Sequence, residues 1–273
     1  ARDLTLFPVV SGDLVFVQRS REIVALHRNT GAVAWRFGAD RGSPRSRDEL
    51  EDEPPGWDSV TVQEGRMYAS LPGDELPFYS YESAREPCEL VCLEAKSGRT
   101  IWRVGPKSFD DSGSGFSFDS GPIVRYGRVY MVGRRRRSFG FEDCYLYRLN
   151  AADGSLEHRT HLGSASTAPF GPRAATRAIA AMHGDTVYVC TNLGAIAAVS
   201  AHTGVVRWLR LYTRLPADAA NVSNRYTREI SPAQLNPILW SGGRVVCLPT
   251  DSPNVVVLAA DDGRPLHAVP VDT

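Results

Sequence analysis

The chain carries no surplus of charge, since 31 basic and 31 acidic side chains balance over 273 residues. It therefore lacks the global attraction to nucleic acid or an anionic membrane that a basic chain has. No stretch approaches the roughly 20 apolar residues of a membrane-spanning helix, so no such helix is expected here. A secretory leader and an initiator methionine are both missing. The sequence opens "ARDLTLFPVV", almost directly on a strand, and reads as an excised or processed piece whose targeting information lies elsewhere. Helical periodicity is nearly absent. So are GxSxG, the P-loop and HExxH, which removes the best-marked hydrolase, nucleotide-binding and zinc-protease chemistries.

Cysteine is scarce. The five residues are odd in number and follow no zinc spacing. Cys88 and Cys92 look paired by eye, but on one strand they stand about 13 Å apart at roughly 3.3 Å per residue, beyond the roughly 7 Å a disulfide tolerates. Buried structural thiols are the expectation. The histidines are scattered; His27, His161 and His202 read as exposed, and none belongs to a metal pattern.

What the sequence does contain is repetition. Aligned on a turn glycine, five segments match: REIVALHRNTG ending at Gly31, CELVCLEAKSG at Gly98, CYLYRLNAADG at Gly154, GAIAAVSAHTG at Gly204 and PNVVVLAADDG at Gly263. Five residues before the glycine stand Leu26, Leu93, Leu149, Val199 and Leu258; four residues after it stand Trp35, Trp102, His158, Trp208 and His267. Each copy is preceded by a second motif, an apolar pair, a Gly-centred turn and another strand, as in PVVSGDLVFV and PIVRYGRVYMV. The unit is thus strand, turn, strand, loop, strand, turn, strand, a four-stranded antiparallel meander. The turn glycines are spaced by 67, 56, 50 and 59 residues, so the longer units carry insertions.

One meander cannot bury both of its faces, whereas stacking meanders around an axis does. The predicted fold is all-β, a β-propeller of four-stranded antiparallel blades. The whole of residues 1–273 forms one propeller or partial propeller, with units over about 7–37, 58–104, 120–160, 177–211 and 236–270.

The pattern A-L-x-x-x-T-G-x-x-x-W, at Ala25 to Trp35 and loosely at Ala198 to Trp208, resembles the tryptophan-docking repeat of the PQQ-like, or quinoprotein alcohol dehydrogenase-like, propellers. The resemblance extends through all five units. It implies that Gly31, Trp35, Gly98, Trp102, Gly154, Gly204, Trp208 and Gly263 are structural, docking one blade on the next, with His158 and His267 as weaker stand-ins. It also implies a ring of seven or eight blades, of which five are present. For the dehydrogenases it implies axial PQQ, calcium, a catalytic Asp and a ring of adjacent cysteines. No two cysteines are adjacent here, and Asp110, Asp111, Asp119 and Asn192 read as loop and turn formers. No catalytic, cofactor or metal residue is therefore assigned, and neither PQQ nor calcium is the favoured expectation.

Insertions are where a rigid scaffold places specificity. Four stand out, at 38–59, 72–87, 133–144 and 212–236. Phe78, Tyr79 and Tyr81 gather aromatics that could anchor a partner. Arg134, Arg135, Arg136 and Arg137 could meet phosphate or an acidic protein, or could form a solvated strand end. The segment GSGFSFDSG at 113–121 reads as a loop between blades. The favoured reading is a non-catalytic scaffold that binds a protein partner and not nucleic acid, in the bacterial periplasm or envelope as similar assembly lipoproteins imply. Any membrane association would come through flanking sequence. A PQQ- and calcium-dependent dehydrogenase domain and a carbohydrate- or other ligand-binding propeller are the alternatives.

Overall fold

A computed structural model of the chain describes residues 7–19, 22–38, 59–72, 88–105, 108–109, 116–138, 141–166, 178–214 and 238–270. The regular elements among them are strands, arranged as five antiparallel sheets in chain order. Blade 1 is β1 (Val9–Ser11), β2 (Leu14–Arg19), β3 (Glu22–His27) and β4 (Val33–Phe37). Blade 2 is β5 (Thr61–Gln63), β6 (Arg66–Pro72), β7 (Cys88–Glu94) and β8 (Thr100–Val104). Blade 3 is β10 (Ile123–Arg125), β11 (Arg128–Ser138), β12 (Phe141–Asn150) and β13 (Leu156–Ser166), with β9 (Phe116–Phe118) added against β11. Blade 4 is β14 (Ile179–His183), β15 (Thr186–Cys190), β16 (Ala195–Ser200) and β17 (Val206–Leu211). Blade 5 is β18 (Leu239–Ser241), β19 (Arg244–Cys247), β20 (Asn254–Ala259) and β21 (Pro265–Pro270).

In every blade the last two strands are joined by the same tight loop. In blade 1 the Gly31 N–H donates to His27 O at 2.8 Å, and the His27 N–H donates to Ala32 O at 2.8 Å. This closure puts the loop's last residue in the left-handed region, where glycine has no Cβ penalty. The five turn glycines have φ of 69, 72, 75, 70 and 68°. A register shift follows each loop at the same place, as between Ala25 and Leu26 or Ala198 and Val199.

The core is not one cluster but four, one in each joint between consecutive blades. Neighbouring blades approach through their first strands, β1 to β5, β5 to β10 and β14 to β18, with β11 meeting β14 between blades 3 and 4, which places this edge of each blade on the inner side. At the outer side the repeat's aromatic ring crosses to the next blade. Trp35, Trp102 and Trp208 lie over Gly98, Gly154 and Gly263; a Cβ added to these glycines would fall 2.7, 2.7 and 2.5 Å from the indoles. Each indole N–H donates to the carbonyl three residues before that glycine: Ala95 O at 3.0 Å, Ala151 O at 3.1 Å and Ala260 O at 3.0 Å. His158 takes the same place over Gly204 and comes closer still. Tyr68, Tyr130 and Tyr188 add their hydroxyls to the carbonyls of Ala151, Ala201 and Ala260.

The fifth seat differs. Among the described residues nothing lies within 4 Å of a Cβ at Gly31. The position that is a buried alanine in the other four blades is here the exposed Arg28, and His267 on the last strand is exposed as well.

Two expectations are corrected. The Gly/Ser-rich stretch is not wholly a loop, because Phe116–Phe118 is strand β9, and Phe116 and Phe118 pack with Phe109 and Tyr147. The arginine run is not an inserted loop either; it is the far half of β11. Four of the five cysteines behave as expected: Cys92, Cys144, Cys190 and Cys247 are buried. Burial pushes the Cys92 thiol up to about 11.

Gly31→Ala and Gly154→Ala separate the two demands on these glycines. Both residues have positive φ, which costs about 1–2 kcal/mol in an alanine. Only Gly154 also carries a ring, and displacing Trp102 adds about 1–3 kcal/mol. Urea denaturation should show the second variant to be the weaker by that difference.

Candidate functional site

The glycine turns occupy one end of every blade, so all the remaining connections leave from the other end. The described residues that flank 39–58, 73–87, 110–115, 167–177 and 215–237 sit there. Phe78, Tyr79 and Tyr81 lie outside the described residues, but their segment departs from Pro72 and returns at Cys88 at this same end. Asp110 and Asp111 are also outside.

Beneath these departures lies a floor of buried polar groups. Arg134 is its centre and is fully enclosed. Its Nε stands 2.9 Å from Asp119 Oδ2 and its Nη1 3.3 Å from Glu142 Oε2, while Nη2 donates to Thr191 O in blade 4. Burial works against the guanidinium charge, but Asp119, Cys144 and Glu142 outweigh it and hold the group's pKa above its ordinary value. Asp119 Oδ2 also accepts the Ala178 N–H at 2.9 Å, at the start of blade 4. Three segments from two blades thus meet on one side chain, and Asp119 ties in a fourth. An ion buried alone costs several kcal/mol, which only partners of this number and geometry offset.

Beside it, Asp143 is completely buried and accepts hydrogen bonds from Ser164 Oγ and, at 3.1 Å, from Tyr145 OH. His161 Nε2 reaches Ser164 Oγ at 2.9 Å from the exposed side. The serine stands between histidine and carboxylate with its proton directed at Asp143, so the histidine is not placed to take it; this is the wrong order for a hydrolytic triad.

A second group bridges blades 3, 4 and 5. Asn192, at φ 49° and buried, accepts the Thr250 N–H at 3.0 Å and the Cys190 thiol at 3.5 Å. Tyr212 OH donates to Asp251 Oδ1 at 2.5 Å and accepts the Gly194 N–H at 3.1 Å. Burial, with Cys190 and Asp251 adding to it, raises the Tyr212 phenol well above its ordinary range. Arg214 Nε lies 2.8 Å from Asp251 Oδ2, and its Nη2 donates to Ser166 O at 3.2 Å.

The candidate residues therefore divide. Arg134 faces inward and is structural, contrary to a solvated or partner-facing role, because the hairpin partner Glu142 and the distant Asp119 enclose it. Arg135 is half-buried opposite Asp143 in the β11–β12 register. Arg136 and Arg137 lie on β11, with side chains outside the described residues. Asp119 and Asn192 do lie in loops, after β9 and between β15 and β16, but both are buried and belong to the floor. Glu142, Asp143, Tyr212, Arg214 and Asp251 were not singled out from the sequence. One signal was present: a hairpin through Ser138 sets Arg135 opposite Asp143 and Arg136 opposite Glu142.

A cation or a quinone would need free oxygens here. The carboxylates of Asp119, Asp143 and Asp251 and the amide oxygen of Asn192 are already held by protein donors. Among the described residues no group of three or more His, Cys, Asp or Glu converges as a metal site. These residues do not fit calcium or PQQ as they are arranged.

Docked four-stranded blades with this aromatic-on-glycine joint define a PQQ-like β-propeller. Residues 37–268 match the family described as outer membrane protein assembly factor BamB, and the chain belongs to that family. Among solved structures it resembles BamB from Moraxella catarrhalis (13% identity, TM-score 0.56), covering 94% of this chain and 61% of that one. It also resembles a europium-containing methanol dehydrogenase (15%, TM-score 0.61; 97% and 50% covered). A third is the quinohemoprotein alcohol dehydrogenase of Comamonas testosteroni (15%, TM-score 0.58; 97% and 42% covered). The chain thus spans about two-fifths to three-fifths of the length of these structures, and at such identities the likeness is one of fold. No curated protein matches the chain.

Replacing Arg134 by Ala leaves Asp119 and Glu142 buried without their cation, at a cost of about 3–5 kcal/mol. Chemical denaturation at neutral pH, relative to the parent, reads the loss.

Proposed function

We propose that this propeller is a non-catalytic scaffold that engages a protein partner at the end opposite its glycine turns, in the bacterial cell envelope. The observation that carries this reading is the placement of the long connections. All five leave from one end, over a floor whose polar groups are already used in holding blades together. Such a floor fixes where loops depart and return without offering a reactive group, which suits recognition by rigidly mounted loops. The family assignment supports the setting, since the matched family is named for assembly at the outer membrane.

Tyr79→Ala and Arg135→Ala test where recognition lies. Cross-linking of the purified chain in envelope extracts, read by mass spectrometry, should map links to 39–58, 73–87 and 215–237 and not to the glycine turns. The Tyr79 variant should lose those links with a thermal midpoint within about 2 °C of the parent, whereas the Arg135 variant, at a half-buried residue opposite Asp143, should lower the midpoint as well. Links confined to the glycine-turn end would overturn the reading. So would reduction of an artificial dye by the purified protein supplied with an alcohol, PQQ and calcium.

A further inference from the structure

The joints repeat not only their outer rings but also a pair of inner slots. The two-residue turns set the count, because Leu14, Arg66, Arg128, Thr186 and Arg244 each follow the turn and pair with the residue before it. Four residues further on stand Gln18, Ser70, Val132 and Cys190, on the side of the following blade. Three residues further on, in that following blade, stand Ala69, Met131, Val189 and Cys247, facing back. Val132 and Val189 share the core between blades 3 and 4. Gln18 crosses from blade 1 to donate to Ser70 O in blade 2 at 2.6 Å. In the joint between blades 4 and 5 both slots hold cysteine. Cys190 and Cys247 share one core cluster and are 4% and 1% exposed, with the Cys190 thiol donating to Asn192.

We propose that Cys190 and Cys247 are a modification site, a dithiol that oxidises to a disulfide joining blade 4 to blade 5 directly beneath the Asn192–Asp251 group. The reaction is thiol–disulfide exchange with a small disulfide such as oxidised glutathione. One cysteine thiolate attacks the reagent's S–S bond and expels a glutathione thiolate; the second then attacks the mixed disulfide and expels another. One S–S bond is broken and one is made overall, and the protein loses two electrons and two protons to the reagent. The sulfurs close to about 2.05 Å, between two buried side chains of one core cluster. The hydrogen bond to Cys190, with burial, holds the Cys247 thiol well above its ordinary range. Cys247 in the closed joint is therefore a thiol and not a thiolate, so the first exchange takes place while blades 4 and 5 are docking or transiently apart and the second as they close. This inference does not depend on the proposed binding function.

The experiment uses the full chain, refolded with oxidised glutathione and then denatured in iodoacetamide. Peptide mapping should recover Cys190 and Cys247 in one linked pair and Cys88, Cys92 and Cys144 alkylated. The bond should raise the thermal midpoint by roughly 5–10 °C over the reduced chain, since it closes a long loop. The double variant C190V/C247V carries the residues of the preceding joint. It should fold with the reduced chain's midpoint and show no response to oxidant. Alkylation of both residues after oxidative refolding overturns the proposal, as does linkage of either to another cysteine. An equal response to oxidant in the double variant does so too.

Discussion

An aromatic ring lying on a bare backbone turn is the contact from which the rest of this structure follows. The ring needs a flat seat, and the left-handed glycine supplies one because it has no Cβ and is also what the loop geometry requires. The same residue therefore closes one blade and receives the previous one. The indole N–H completes the joint by meeting a carbonyl that the turn leaves exposed, so burial of a large ring does not strand a polar group. Alanine at that carbonyl keeps the approach close. Because each joint is built this way, hydrophobic burial is divided into four separate interfaces, and each blade is stabilised by its neighbours more than by itself.

This division explains the polar floor at the opposite end. Apolar packing between twisted sheets has little directional preference, and the ring-on-glycine contact fixes only the outer side. Arg134 and Arg214 set the other end. Each holds groups from more than one blade, and the planar guanidinium accepts only a few arrangements of carboxylate and carbonyl around it. The connectors above are then mounted on blades whose relative angle is determined at both ends.

Much of the fold was legible because its signal is periodic. A glycine, an aliphatic residue five before it and an aromatic four after it can be recognised without knowing what they touch, and the joint they form is local to the repeat. The floor is written differently. Asp119, Arg134, Glu142 and Thr191 meet through three separate chain reversals, and no fixed offset links them. Four consecutive arginines look like a solvated face until the strand's alternation is applied, which turns Arg134 inward and sets its neighbours against Glu142 and Asp143. Strand β9 was obscured for a related reason. Its flanking glycines and serines signal a loop, and only the phenylalanine cluster with Tyr147 shows what the segment is for. Phe78, Tyr79 and Tyr81 stand on a connection whose departure point is fixed by its blade, which is as far as the repeat reaches.

The ring-on-glycine joint gives the array a direction. In each described joint a ring projects from one blade toward the next in chain order and never the reverse, so the two faces of a blade are not equivalent: one carries a socket and the other a plug. Such an object has a polarity in the sense that a filament has one. Contacts that continue its pattern are heterologous and add in a single sense, and a surface that mates with one face has no reason to mate with the other.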